Sequence, residues 1–295
     1  MALTSIWIDI LMSTLRLAVP ILFAAYGGML SERSGIANIA LEANLLFAAF
    51  AGGAVTALSG NLWLGACAGL ATSGLVGFLF ASFCIWGRGD QIVVGTAFNL
   101  LAYGLIPVIT KSLFDITGST PSLPNELTFH KPWVFFVLAI AVLISYEFLF
   151  RRTRHGLRIQ AAGENPAALA TQGVSYRLVR LRAVVEGSII TGIGGVYLSL
   201  CQGSGYVREM SAGRGFIALA ALIFGAWKPV PTFLACLFFA FADSVQMHLQ
   251  GQRIGNFEVP NEFIQIIPYV ATLLVLVFYA RRISAPAAIN RDLDI

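Results

Sequence analysis

Along its length the chain alternates long apolar runs with short polar punctuation, and the runs are long enough to cross a bilayer. Nine spans are expected, over 6–30, 36–58, 62–86, 91–114, 132–150, 183–201, 216–227, 231–249 and 263–280. A helix needs about 20 mostly apolar residues to traverse the hydrocarbon core. Without water there, such a continuous run can satisfy its backbone only as a helix; barrel strands would instead alternate polar and apolar positions. The pattern therefore predicts an all-α polytopic membrane protein, organised as one transmembrane domain over residues 1–295. The seventh run is short and bounded by glycine, so a broken or half-length helix is expected there.

One stretch interrupts this regime. Residues 151–182 carry Arg151, Arg152, Arg154, Arg158, Arg177, Arg180 and Arg182 around an Ala-rich centre. Basic loops between spans are retained in the cytoplasm, which places 151–182 inside and, by alternation, 31–35, 87–90, 228–230 and Arg281-Arg282 inside as well. The expected orientation is N-terminus out, C-terminus in. A short rigid helix within that loop would give a cytosolic partner something to push on. A faint repeat accompanies this topology: Ser34-Gly35-Ile36-Ala37-Asn38-Ile39-Ala40-Leu41 and Arg214-Gly215-Phe216-Ile217-Ala218-Leu219-Ala220-Ala221 each open a span, five spans apart and thus in opposite directions. Inverted repeats of this kind occur in transporters, with the solute path at their interface.

Composition narrows the functional classes. The chain is 57% hydrophobic and 12% charged, with a mean hydropathy of +0.78, whereas soluble domains carry about 25% charged residues. Its net charge of +4 gathers at span ends, where topology accounts for it, so no nucleic-acid partner is expected. Cys67, Cys84, Cys201 and Cys236 each stand alone in apolar sequence and read as small hydrophobes. His130, His155 and His248 are scattered without partners at ligand spacing, so no metal site is expected. Neither a phosphate-cradling loop nor a hydrolase motif occurs. The expectation is a chain without cofactor or enzymatic activity, whose ATP hydrolysis, if transport uses it, belongs to another polypeptide.

Polar groups inside spans are costly and default to functional candidates. These are Asn38, Glu42 and Asn44 in the second span, Asn99 in the fourth, Glu186 in the sixth, Asp243 and Gln246 in the eighth and Gln265 in the ninth. Asn38 and Glu42 stand four residues apart and would share a helix face. Two roles are open to this set: interhelical hydrogen bonds that hold the bundle, or contacts to a polar solute, for which the neutral amides are suited. Phe216 and Tyr26 could stack on an aromatic solute, or serve as interface anchors. Gly27-Gly28, Gly52-Gly53 and Gly192-x-Gly194-Gly195 are expected to allow close helix contacts.

The run Gly28-Met29-Leu30-Ser31-Glu32-Arg33-Ser34-Gly35-Ile36-Ala37-Asn38-Ile39-Ala40-Leu41-Glu42 resembles the opening signature of ABC-importer permeases of the branched-chain amino acid/ribose class, nearest the nucleoside-type permeases that pair with basic-membrane-lipoprotein-like binding proteins. The resemblance continues through Asp90-Gln91-Ile92-Val93-Val94-Gly95, Asn99-Leu100-Leu101-Ala102, Ala162-Gly163-Glu164-Asn165-Pro166-Ala167-Ala168, the stretch from Gly213 to Trp227, and Phe241-Ala242-Asp243-Ser244-Val245-Gln246. Where the family usually shows Glu-Gly-Met, this chain has Glu42-Ala43-Asn44, which weakens any transfer of substrate from relatives. The resemblance implies a permease in the bacterial inner membrane that moves a nucleoside or similar heterocycle. The same machine could import a vitamin, such as a B6 vitamer, or a sugar; a secondary transporter or channel is the reading from another class. It implies three partners: a cytosolic ABC ATPase, a second permease subunit in a heterodimer, and an extracytoplasmic solute-binding protein. Glu164, Asn165, Pro166, Ala167, Ala168 and Gly173 would form the coupling helix, and Asn38, Glu42, Asn44, Asn99, Phe216, Asp243 and Gln246 the substrate pathway.

Overall fold

Helix α1 (Ala2–Arg33) continues through Pro20 to a break in the chain, after which α2 (Leu41–Ser59) begins. The computed structural model describes residues 2–250 together with 253–254, 257–258 and 285–289. Local chemistry sets the next boundaries. Asn61 accepts from the amides of Trp63 and Leu64 to start α3 (Leu62–Ile85), and Asp90 does the same through Ile92 and Val93 for α4 (Gln91–Phe114). Such side-chain caps satisfy amides that the helix leaves without partners. Pro132, with no N–H to lose, opens α5 (Pro132–Arg152).

The basic stretch folds as a helical hairpin. Thr153 caps α6 (Arg154–Glu164), Asn165 caps α7 (Pro166–Thr171), and Gly173 turns the chain at φ 71°. Ser175 then caps α8 (Tyr176–Tyr197), whose last turn widens to a π-helical one over Leu198–Gln202. The chain continues through α9 (Arg214–Phe224) and α10 (Pro229–Leu249) to two short antiparallel strands, β1 (Arg253–Ile254) and β2 (Phe257–Glu258).

Among the described residues seven helices are long and apolar enough to cross a membrane, namely α1, α2, α3, α4, α5, α8 and α10. The described residues account for seven of the nine expected spans as full-length helices. The seventh expected span, 216–227, is the 11-residue α9, about 16 Å long at 1.5 Å per residue and half the hydrocarbon thickness. The ninth, 263–280, with Gln265 and Arg281-Arg282, lies outside the described residues.

The bundle is built around α2, α8 and α1, whose apolar windows are 78%, 67% and 61% buried, against 22% for α5 and 28% for α4. Glycine makes this centre possible. Gly27 of α1 lies directly on the backbone of Gly187 in α8, and Gly195 of α8 lies on Leu45 and Ala49 of α2, so a side chain at any of these would strike main chain. Small residues at crossings let backbones approach within the dispersion range that drives association in lipid.

Contacts at the helix ends sort the molecule into two sides. The far ends of α1 and α9 meet where the Trp227 indole N–H donates to Glu32 (2.5 Å), and α4 begins beside them, with Ala37 N–H donating to Gln91 (2.6 Å). The hairpin lies on this same side, because Gly163 packs on the main chain of Arg33 and Gly35. At the opposite side Ser244, late in α10, donates to the carbonyl of Ile10 (2.8 Å). Segment 115–131 there runs alongside the end of α8, pairing Thr120 N–H with Tyr206 O and Phe129 N–H with Leu200 O.

Candidate functional site

Residues 34–40 leave the helical path between α1 and α2. Gly28 of α1 touches both Leu41 and Leu222 of α9, and its neighbour Gly27 meets Gly187 near the middle of α8. The start of α2 and the body of α9 are therefore central in the bundle. Buried main chain without helical hydrogen bonds is tolerated in such a bundle only when protein groups satisfy it. Two amides of α4 do so: Gln91 through Ala37, and Asn99, which donates to Ile39 O (3.0 Å) and accepts from Ala43 N–H (2.9 Å).

Glu42, 1% exposed, sits in the first turn of α2 and closes the gap to α9. One carboxylate oxygen accepts from the Ser211 hydroxyl (2.5 Å), Gly213 N–H (2.9 Å) and the Tyr103 hydroxyl (3.4 Å). The other accepts from Gly215 N–H (2.7 Å). Gly213 and Gly215 present the free amides at the start of α9, where the helix dipole favours an anion. Gly215 has no room for a side chain against the Glu42 backbone. The loop that delivers these donors bends through Glu209 and Ala212 at φ 56° and 47° and Gly213 at φ 77°. A cavity of about 410 Å³ opens beside this junction, lined by Glu42, Tyr103, Glu209, Ala212 and Gly213.

The two halves of the sequence repeat thus meet, but they do not fold alike. The first is the non-helical break, so Asn38 and Glu42 share no helix face as the spacing implied. Asn38 is instead fully buried and donates to Ser31 Oγ (3.1 Å). Asn44 faces α3, accepting from the Ser73 hydroxyl (3.4 Å). The second half is helical from Arg214 and sets Phe216 on an exposed face. Asp243 and Gln246 on α10 are partly exposed, with Asp243 within electrostatic reach of Arg214. Glu186 pairs with His155 of α6 (2.9 Å), both sides of the pair remaining substantially exposed. Tyr26 is fully buried against Tyr146.

Across the hairpin, Glu164, Asn165, Ala167, Ala168 and Gly173 are exposed while Pro166 and Leu169 turn inward. Arg151, Arg152, Arg154, Arg158 and Arg182 are exposed too. Arg180, grouped with them by composition, is a correction: it is 6% exposed and bonded to main chain. Sequence reasoning also passed over Glu32, assigned to a polar loop but 5% exposed beneath Trp227. Gln91, which opens the fourth span, also reaches the break by accepting from Ala37 N–H, a role its sequence position does not signal. An acid and a Trp facing span ends were the available signals for the Glu32 pair.

A multi-pass helical bundle, with a non-helical break around buried polar groups and an exposed hairpin on one side, has the architecture of a membrane transport subunit. The chain belongs to the family described as branched-chain amino acid transport system/permease component, whose model matches residues 10–276. The guanosine ABC transporter permease protein of Bacillus subtilis is 31% identical over 94% of this chain and 93% of its own. The nucleoside ABC transporter permease protein of Lactococcus lactis is 32% identical over 92% of both chains. A putative glucose ABC transporter permease protein of Haloferax volcanii is 28% identical over 97% of this chain and 98% of its own. No solved structure matches. The protein is the permease subunit of an ABC transporter, a transport component and not an enzyme. Such a subunit works with an ATPase and a solute-binding partner.

Proposed function

We propose that this chain imports a nucleoside or a closely related heterocycle across a bacterial inner membrane, with its N-terminus outside and its C-terminus in the cytosol. The carrying observation is that the guanosine and nucleoside permeases match over more than nine-tenths of their length. In this reading residues 151–182 are the cytosolic coupling element within one transmembrane domain spanning 1–295, and the exposed row Glu164, Asn165, Ala167, Ala168 and Gly173, with Pro166 fixing the turn, fits an ATPase groove. The basic side chains flanking the hairpin support a cytosolic location. A second, similar permease subunit completes the path as a heterodimer, and an extracytoplasmic binding protein delivers the solute. In this reading the chain itself needs no cofactor or metal.

The solute passes the cavity beside Glu42 and the face of α9 that carries Phe216, with Asp243 and Gln246 along its wall. Asn38, Asn44 and Asn99 shape that path from behind by holding the break and α2 in place. ATP-driven movement of the hairpin switches access from one side to the other. Uptake of tritiated guanosine by cells carrying the complete transporter tests the reading. Glu164→Lys with Ala168→Trp is expected to abolish uptake while membrane insertion and binding-protein affinity persist. Full uptake by that double variant overturns the coupling assignment, and failure of guanosine, adenosine and uridine alike to be taken up overturns the solute class.

A further inference from the structure

The guanidinium of Arg180 sits where three parts of the chain converge. Its Nε donates to Ser34 O (3.0 Å), and its Nη2 donates to Ala162 O (3.2 Å) and Ala288 O (3.5 Å). Ser34 follows the end of α1, Ala162 lies in the last turn of α6, and Ala288 belongs to the segment beyond α10, which docks on the hairpin through Ala288 N–H to Gly163 O (2.8 Å). The charge is more than nine-tenths buried, and among the described residues its bonded partners are carbonyls rather than a carboxylate. The negative ends of two helix dipoles, those of α1 and α6, supply the compensating potential, and the Tyr176 ring lies 5.6 Å away. A buried charge held this way resists separation from its acceptors, because any one that leaves strands part of the guanidinium of a residue that is 6% exposed.

We infer that Arg180 is the positioning residue that carries movement of the α6–α7 hairpin to the non-helical break at 34–40 and on to α9. The inference rests on the hairpin being the ATPase-docking element. From Arg180 the connection is continuous. Gly163 lies on the Arg33 and Gly35 main chain with no space between them. The break is then held by Gln91 and Asn99, and its downstream end carries Glu42, which grips the start of α9. At the other end of α9, Trp227 is tied to Glu32, two residues before Ser34. Two acids ten positions apart therefore clamp α9 at both ends, and Arg180 holds the segment between them to the hairpin. A shift of the hairpin cannot leave 34–40 behind without stranding the guanidinium. Lysine cannot substitute, since a single ammonium on a flexible stem does not reproduce the planar fork.

The test uses the complete transporter in proteoliposomes, in a background with all four cysteines replaced and Phe216→Cys as reporter. Maleimide labelling of that cysteine is measured before and after trapping with ATP and vanadate. The unmodified Arg180 background is expected to change its labelling rate at least fivefold on trapping. Arg180→Gln and Arg180→Lys are expected to hydrolyse ATP and retain the ATPase subunit while the change falls below twofold. A purely structural role for Arg180 would lower assembly and hydrolysis together and leave the labelling ratio of the surviving complexes intact, which overturns the inference. So does an unchanged labelling rate in the Arg180 background. Should Arg180→Gln fail to insert, Gly163→Ala, which wedges the hairpin off Arg33, is expected to reduce the labelling change in the same way, and an undiminished change overturns the inference. If the ATPase does not bind the unmodified protein at all, the docking assignment of the hairpin fails instead.

Discussion

Glu42 shows how a buried acid becomes tolerable inside a membrane protein. Four donors converge on it, three of them strong, and two are helix-start amides that have no other partner. Replacing it by Ala strands those donors, at about 1–3 kcal/mol each. Glu42→Ala is expected to lower the thermal unfolding temperature of the detergent-purified subunit strongly, and Glu42→Gln, which keeps one accepting oxygen, about half as much. Trp227→Phe tests the second acid: it removes the indole N–H that donates to Glu32 while keeping most of the aromatic volume. A loss of about 1–3 kcal/mol, read by the same unfolding assay, is expected. Polarity amid apolar sequence made Asn38, Glu42, Asn44 and Asn99 legible as special. Their partners were not, because Ser211 and Gly213 lie about 170 residues downstream of Glu42 and nothing local encodes that pairing.

Among the helices, legibility follows length. The seven long apolar runs appear as helices close to their expected positions, since hydropathy over about 20 residues fixes a crossing on its own. The second began at Leu41 rather than at 36, because Gln91 and Asn99 of α4 satisfy the main chain of 37–43 outside a helix. Glycine positions forecast close crossings, and the crossings exist, although which helix meets which had no local signal. Gly27→Leu is expected to abolish the α1–α8 contact and with it the yield of monodisperse protein in detergent. Gly104→Ala is the control: nothing lies within 4 Å of a side chain there, and the change is expected to stabilise α4 by up to about 1 kcal/mol through helix propensity. Equal loss of yield in both variants would refute the packing argument.

For the molecule as a whole, the half-length α9 begins at the Glu42 carboxylate and ends where Trp227 lies beside Glu32 on the hairpin side. Sidedness is open to direct measurement. Single cysteines at Arg158 or Gly173, in the cysteine-free background, are expected to react with an impermeant maleimide only in inside-out vesicles. Cysteines at Asn61 or Asp115 should react only in intact cells or right-side-out vesicles. Labelling of Gly173→Cys from outside would reverse the proposed orientation.

The sequence by itself determined the solvent of this protein, the approximate extent of the seven long apolar helices among the described residues, and the basic segment that forms the hairpin. These follow from transfer energies and charge, which act residue by residue within a run. Tertiary structure alone decided that Arg180 turns inward while its neighbours face out, that the first repeat half unwinds while the second stays helical, and that one carboxylate joins them. Each depends on donors and acceptors brought together from segments far apart in the chain, and only the packed bundle, with water excluded, makes satisfying them obligatory.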